Sequence, residues 1–285
     1  MSEDLKELFE QARFLREHRI EMVAGPDGQP VPIVLTKQGA ASIKNVLDAY
    51  RTTPERTMGT AGLATLESLI DHAKRFRAPH SVAFCEAARP SISVVYDYDG
   101  ADAPRWRKHR AHYAFPFSRE WKAWTAADDV WMGQGEFAAF LEDHAADVVA
   151  PSEAQDAAAE LQRIEIKAAL PSQILAASKG LDVTATATVT NRVNLANGGV
   201  RLVFDEEVKS AAEIPGGFVI AVPMFDGDTE ATAVPVRLRM RVEKSAIKWG
   251  IALLHADKAV REAVDEAVAT FTRETGVPVL YGSPE

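Results

Sequence analysis

The feature that most constrains this chain is a strict two-residue alternation in its second half. Val236, Leu238, Met240 and Val242 are apolar, and Arg237, Arg239 and Arg241 stand between them. Side chains of a strand point alternately to its two faces, so this run predicts a strand with one buried face and one arginine face. Ile247, Trp249, Ile251 and Leu253 repeat the pattern. Val183, Ala185, Ala187 and Val189 alternate with Thr184, Thr186, Thr188 and Thr190 and predict another strand. Phe218–Pro223 is apolar throughout, as a fully buried strand would be. Asn197-Gly198-Gly199 signals a hairpin turn leading into Val200, Leu202 and Phe204. Turns between neighbouring runs favour an antiparallel meander. Asp257 is expected to cap a long helix that carries Val260, Val264, Val268 and Phe271 on one face, and Val277–Tyr281 reads as a last strand.

The first half mixes periods. Asp4–His18 reads as a helix, Ile20–Val23 and Val31–Leu35 as a hairpin around Gly25-Pro26-Asp27-Gly28, and Ser42–Arg51 and Leu63–Phe76 as helices. Ser81–Phe84, Ser91–Tyr96 and His109–Phe115 read as strands. Pro116 ends the last of these, and Ser118 is a natural N-cap for a helix carrying Trp121 and Trp124. Glu136–His144 places Phe137, Phe140 and Leu141 at helical spacing, Pro151-Ser152 opens a helix through Leu161, and a short helix follows near Pro171–Ala177. The expected fold is therefore α+β. A mixed N-terminal half of short strands and helices spans 1–150. A C-terminal half, 151–285, is a mostly antiparallel sheet with a long packed helix. The acidic, alanine-rich stretch Ala145–Glu160 is the expected joint.

Composition narrows the function classes. Apolar residues make up 47% of the 285 and charged residues 26%, enough for a sizeable core. The single cysteine, Cys85, excludes an internal disulfide and a cysteine-based zinc site, as in a reducing cytoplasm. Residues 1–19 are charged throughout, so no secretory leader is expected there. No apolar run reaches the roughly 20 residues of a membrane-spanning helix. A net charge of −9 lowers the expectation of nucleic-acid binding, although one basic face can still act locally.

No motif of known chemistry emerges. Walker A, GxGxxG and GxSxG are absent. His109 and His112 would share a helix face, but on a strand they point apart and make a poor metal pair. Asp97, Asp99 and Asp102 follow a strand and resemble oxygen ligands, yet Asp-rich turns arise mainly because Asp bonds nearby backbone. Glu136, Glu142 and Asp143 fit a solvated helix face better than a carboxylate pair. Cys85, with His72 or His80, lacks the glycines of an oxyanion loop and reads as a buried apolar residue. Trp106, Trp121, Trp124 and Trp131 crowd one segment beside Arg105, Arg107, Lys108 and Arg110. With Phe137 and Phe140, the tryptophans are candidate anchors of a core or an interface between subunits. Arg237, Arg239 and Arg241 are a candidate charged face toward a neighbouring subunit or nucleic acid. No catalytic, cofactor or metal residues are assigned.

The tryptophan segment also carries a resemblance. Trp121-Lys122-Ala123-Trp124, followed by Met132-Gly133-Gln134-Gly135-Glu136-Phe137-Ala138-Ala139-Phe140-Leu141-Glu142-Asp143, resembles the central signature of the YfdQ-like family of phage and prophage proteins. Gly62–Phe76, Phe218–Phe225 and the run from Val236 to Gly282 are similar to the same family. The resemblance implies a phage or prophage gene expressed in a bacterial cytoplasm, and brings no catalytic residues with it. The expected function is a non-enzymatic structural protein that self-assembles into a large closed homo-oligomer, a container-like particle. The alternatives are a nucleic-acid-associated accessory of phage DNA metabolism and an enzyme whose site has no recognised motif.

Overall fold

The computed structural model describes residues 19–25, 28, 30–36, 39–43, 52–100, 103–183, 189–196, 198–204, 211–243 and 246–284. The fold is α+β. By compactness the chain divides into Met1–Gly59 and Thr60–Glu285.

The first unit contains a three-stranded antiparallel sheet of β1 (Arg19–Ala24), β2 (Pro30–Thr36) and β3 (Gly39–Ser42), with β2 in the centre. The expected hairpin is β1–β2, in the register Val23↔Val31 and Ile20↔Val34. Ser42, expected to open a helix, closes β3 by pairing with Ile33. The remainder of that expected helix, 44–51, and the one expected over 4–18 lie outside the described residues.

The second unit holds two five-stranded sheets. One has the order β16-β5-β6-β7-β4, from β4 (Gly59–Leu63), β5 (Val82–Glu86), β6 (Ser91–Val95), β7 (His109–Ala114) and β16 (Val279–Tyr281). The other has the order β8-β15-β14-β13-β9, from β8 (Met132–Gly133), β9 (Val148–Val149), β13 (Gly217–Pro223), β14 (Ala231–Glu243) and β15 (Ala246–Leu253). The expected meander is its centre, β13-β14-β15, antiparallel throughout. A smaller antiparallel sheet joins β10 (Val189–Asn194), β11 (Val200–Phe204) and β12 (Ala211–Ile214). Of the turn expected at Asn197-Gly198-Gly199, Gly198 and Gly199 lie between β10 and β11, where Leu195 N–H donates to Gly199 O at 2.9 Å, and Asn197 lies outside the described residues.

These sheets interlock across residue 150. β8 and β9 come from before it and form both edges of the meander. β16, near the other end of the chain, runs parallel to β5. Residues from both sides of position 150 share one apolar core, which includes Leu69, Ile92, Trp124, Phe218, Trp249 and Phe271. The halves 1–150 and 151–285 thus differ from the observed division, because long-range strand pairing knits them together.

Helices fill the layers. α1 (Leu66–Phe76) begins at Thr65, whose hydroxyl accepts from Ser68 N–H at 3.1 Å. α2 (Arg119–Ala127) is capped by Ser118, as its sequence predicts: the Ser118 hydroxyl accepts from Trp121 N–H at 2.9 Å and donates to Pro223 O at 2.6 Å. α3 (Gln134–Asp143) packs on β15 and on α5 (Pro171–Val183). α4 (Gln155–Arg163) covers β13 and β14 through Ala157, Ala158 and Leu161, which meet Val219 in a second apolar cluster. α6 (Ala256–Thr275) packs on α1 and β14 through Val264, Val268 and Phe271.

Two local expectations change. His255, in the left-handed region at φ 57°, is the cap of α6, and Asp257 sits inside its first turn. There its charge still favours the helix dipole. Helix α5 extends to Val183, so Val183 is helical rather than the start of a strand; 184–188 lie outside the described residues, and the strand begins at Val189.

Candidate functional site

The tryptophan segment separates by depth. Trp121 and Trp124 face inward from α2 and are buried. Trp124 donates its indole N–H to the Asp147 carboxylate at 2.7 Å and meets Phe140 and Phe218 edge-on, at 5.1 and 5.9 Å between ring centres. Phe137 lies buried on α3 and stacks on Trp249 at 5.9 Å, with planes 8° apart. Phe140 is half-buried against the same core. Trp131 is half-buried, and the Arg241 guanidinium lies 4.4 Å above its ring. Trp106 is 66% exposed.

The basic residues near Trp106 organise a loop. Asp99 accepts from Arg105 N–H at 2.6 Å and pairs with the Arg107 guanidinium, which lies over Tyr98. These bonds hold the Asp99 carboxyl below its usual range. Asp97 accepts from the Lys108 and His109 N–H groups, each at 3.0 Å. Both aspartates act as braces of the segment between β6 and β7, and Asp102 lies outside the described residues. His109 and His112 occupy opposite faces of β7. His112 shares a hydrogen bond of 2.9 Å with Ser93, while His109 joins an aromatic group with Tyr96, Phe76 and His72.

That aromatic group has no signature in the sequence. His72 Nδ1 and the Tyr96 hydroxyl share a hydrogen bond of 2.7 Å. Burial pushes the Tyr96 hydroxyl well above its ordinary value. The His72 imidazole is held low, first by burial, then by the charges of His109 and Arg75. The His109 imidazole is also held low by burial, against the opposing pull of Asp97. Tyr96 is 2% exposed, so the group has a packing geometry and offers no open reactive hydroxyl.

The other titratable candidates are dispersed. Glu136 accepts from Gly133 N–H at 3.2 Å at the start of α3, and Glu142 and Asp143 face outward at its end. Cys85 is fully buried, and burial, aided by Asp265, pushes its thiol up to about 11. His72 is engaged by Tyr96, and His80 is half-buried in the turn before β5. Among the described residues no group of three His, Cys, Asp or Glu side chains can hold a metal ion. No helix among them is long and apolar enough to cross a membrane.

The arginine face opens onto a groove. Arg237, Arg239, Trp131, Met240 and Trp249 line a cavity of about 790 Å³, whose opposite wall is the turn between β10 and β11. Arg239 pairs with Asp129, while Arg237 is exposed and forms no ion pair among the described residues. The wall approaches closely: a Cβ on Gly216 would lie 2.5 Å from Gly198 O. Trp249 is 1% exposed, and its indole N–H has no hydrogen-bond partner among the described residues.

These features define an α+β protein with an aromatic core, a basic strand bordering a groove, and no convergent catalytic constellation among the described residues. The chain belongs to the family described as uncharacterized conserved protein (DUF2303), whose model matches residues 3–284. No curated protein and no solved structure matches it.

Proposed function

We propose that the chain is a non-enzymatic structural protein, encoded by a phage or prophage and acting in a bacterial cytoplasm, that self-assembles into a large closed homo-oligomer. The observation that carries the reading is the β1–β2–β3 sheet. None of Ile20–Ala24, Pro30–Leu35 or Gly39–Ser42 is buried within the chain, and Ile20 and Met22 are 64% and 60% exposed. Small sheets need an apolar face packed on something to persist. The three strands hold only Arg19 and Glu21 as charged residues. A nearly uncharged face is where copies with a net charge of −9 can meet without opposing like charges.

Light scattering after gel filtration tests the reading. Wild type is expected at a large multiple of 31.0 kDa, with closed particles in negative-stain micrographs. The double variant Ile20→Asp, Met22→Asp is expected to release smaller species. A wild-type monomer at micromolar concentration overturns the proposal. Nucleic-acid binding is the weaker reading, because Arg239 and Arg241 already engage Asp129 and Trp131.

A further inference from the structure

We infer that the groove beside β14 binds an extended acidic peptide, which adds as a strand to the open edge of β14. This site uses none of the residues of the β1–β3 sheet and does not depend on assembly.

The open edge follows from strand lengths. β13 ends its pairing with β14 at Gly217↔Arg237, but β14 continues to Glu243, pairing with β15 as far as Glu243↔Ala246. Among the described residues, Leu238–Glu243 therefore has a strand on one side only. Leu238 N–H still donates to Gly216 O at 2.9 Å, which fixes the direction of its polar groups away from β15. On the far side of β15, Ile251 O accepts from Asp129 N–H at 3.0 Å, so the pair Leu238↔Ile251 does not bond across β14–β15. Bonding alternates along an antiparallel pair, so Met240↔Trp249 does not bond there either. The N–H and C=O of Met240 thus face the groove. An unpaired strand edge with main-chain donors and acceptors is a template for another extended segment.

The surroundings specify the visitor. The cavity volume falls within the roughly 300–1,000 Å³ of ordinary binding pockets. Its buried Trp249 N–H has no acceptor among the described residues, and leaving such a donor unbonded is costly. A carbonyl or carboxylate oxygen supplies what it lacks once the groove wall yields, because the nitrogen has no accessible surface in the groove. Arg237, exposed on the rim, supplies the charge for an acidic side chain. Leu238 and Met240 provide apolar contact for alternate residues, as strand addition requires. A second copy pairing edge to edge through β14 would bring Arg237, Arg239 and Arg241 against their own counterparts, which disfavours self-pairing at this site.

Fluorescence anisotropy tests the inference with a fluorescein-labelled heptapeptide of alternating valine and glutamate, on the full chain. Two control peptides accompany it: one with lysine in place of glutamate, and one with alternate backbone nitrogens methylated. The acidic peptide is expected to bind with micromolar affinity, at least ten-fold more tightly than either control. Arg237→Glu, at an exposed position that leaves circular dichroism unchanged, is expected to weaken it at least ten-fold. Equal binding of the methylated peptide overturns strand addition. Equal binding of the lysine peptide, or no effect of Arg237→Glu, overturns the charge assignment. No binding of the acidic peptide at millimolar concentration overturns the site altogether.

Discussion

The β1–β3 sheet and the β8-β15-β14-β13-β9 sheet are built from similar residues but are buried to different degrees. In the larger sheet Phe218, Ile220, Val222, Val234, Val236 and Ile251 are fully buried, against helices on one face. In the smaller sheet Ile20, Met22 and Val23 remain exposed, and Val31, Ile33, Val34 and Leu35 are only partly covered. Burial of apolar area stabilises by about 25 cal/mol per Å². The larger sheet draws that stabilisation from its own chain. Among the described residues the smaller one draws little of it, and we propose that contact between copies supplies the rest.

The largest expected effect lies in the larger sheet's core. Trp124→Ala removes a fully buried ring and leaves Asp147 without its donor, and is expected to cost about 3–5 kcal/mol in urea unfolding. Equal stability of variant and wild type would break the contrast at its stronger end. Gly217→Ala comes next. A Cβ there would lie 2.6 Å from Val236 O, so the β13–β14 pair must shift, at a cost of about 1–3 kcal/mol on the same assay.

A pH dependence follows from His72 and His109, whose folded values lie below the ordinary 6.5. The folded state therefore resists a proton that the unfolded chain accepts. Their stabilisation is present above about pH 6.5 and is lost as pH falls through the lower folded values. The urea midpoint is expected to drop between about pH 7.5 and pH 5.5. His72→Gln, which keeps a hydrogen-bonding partner for Tyr96 but does not titrate, is expected to shrink that drop. The smallest effect belongs to the smaller sheet. Met22→Ser is expected to change the unfolding of the second unit by less than about 0.5 kcal/mol while shifting mass toward smaller species.

The alternating runs made the centre of the larger sheet legible, because a half-buried strand imposes its period on its own residues. The edges were not legible. β8 and β9 are each two residues long, too short for any period, and Met132 and Val148 become strand only through Trp249 and Ile220. The pairing of β16 with β5 joins Leu280 to Phe84, a contact that no local pattern encodes. Threonine alternation suggested a strand from Val183, but the preceding helix runs through that residue. The arginine face was visible in sequence. The groove beside it was not, since it arises where β14 outruns β13, a difference in length between two paired elements. The aromatic group of His72, Phe76, Tyr96 and His109 was missed for a similar reason: its members come from α1, the turn after β6, and β7.

Hydrogen exchange at two protein concentrations, followed by mass spectrometry of peptides covering 20–35 and 218–253, tests the central claim most directly. If copies hold the smaller sheet together, amides of β1 and β2 are protected at high concentration and lose protection on dilution, while β13, β14 and β15 stay equally protected at both. Protection of β1 and β2 that is unchanged on dilution to a monomer would contradict the account.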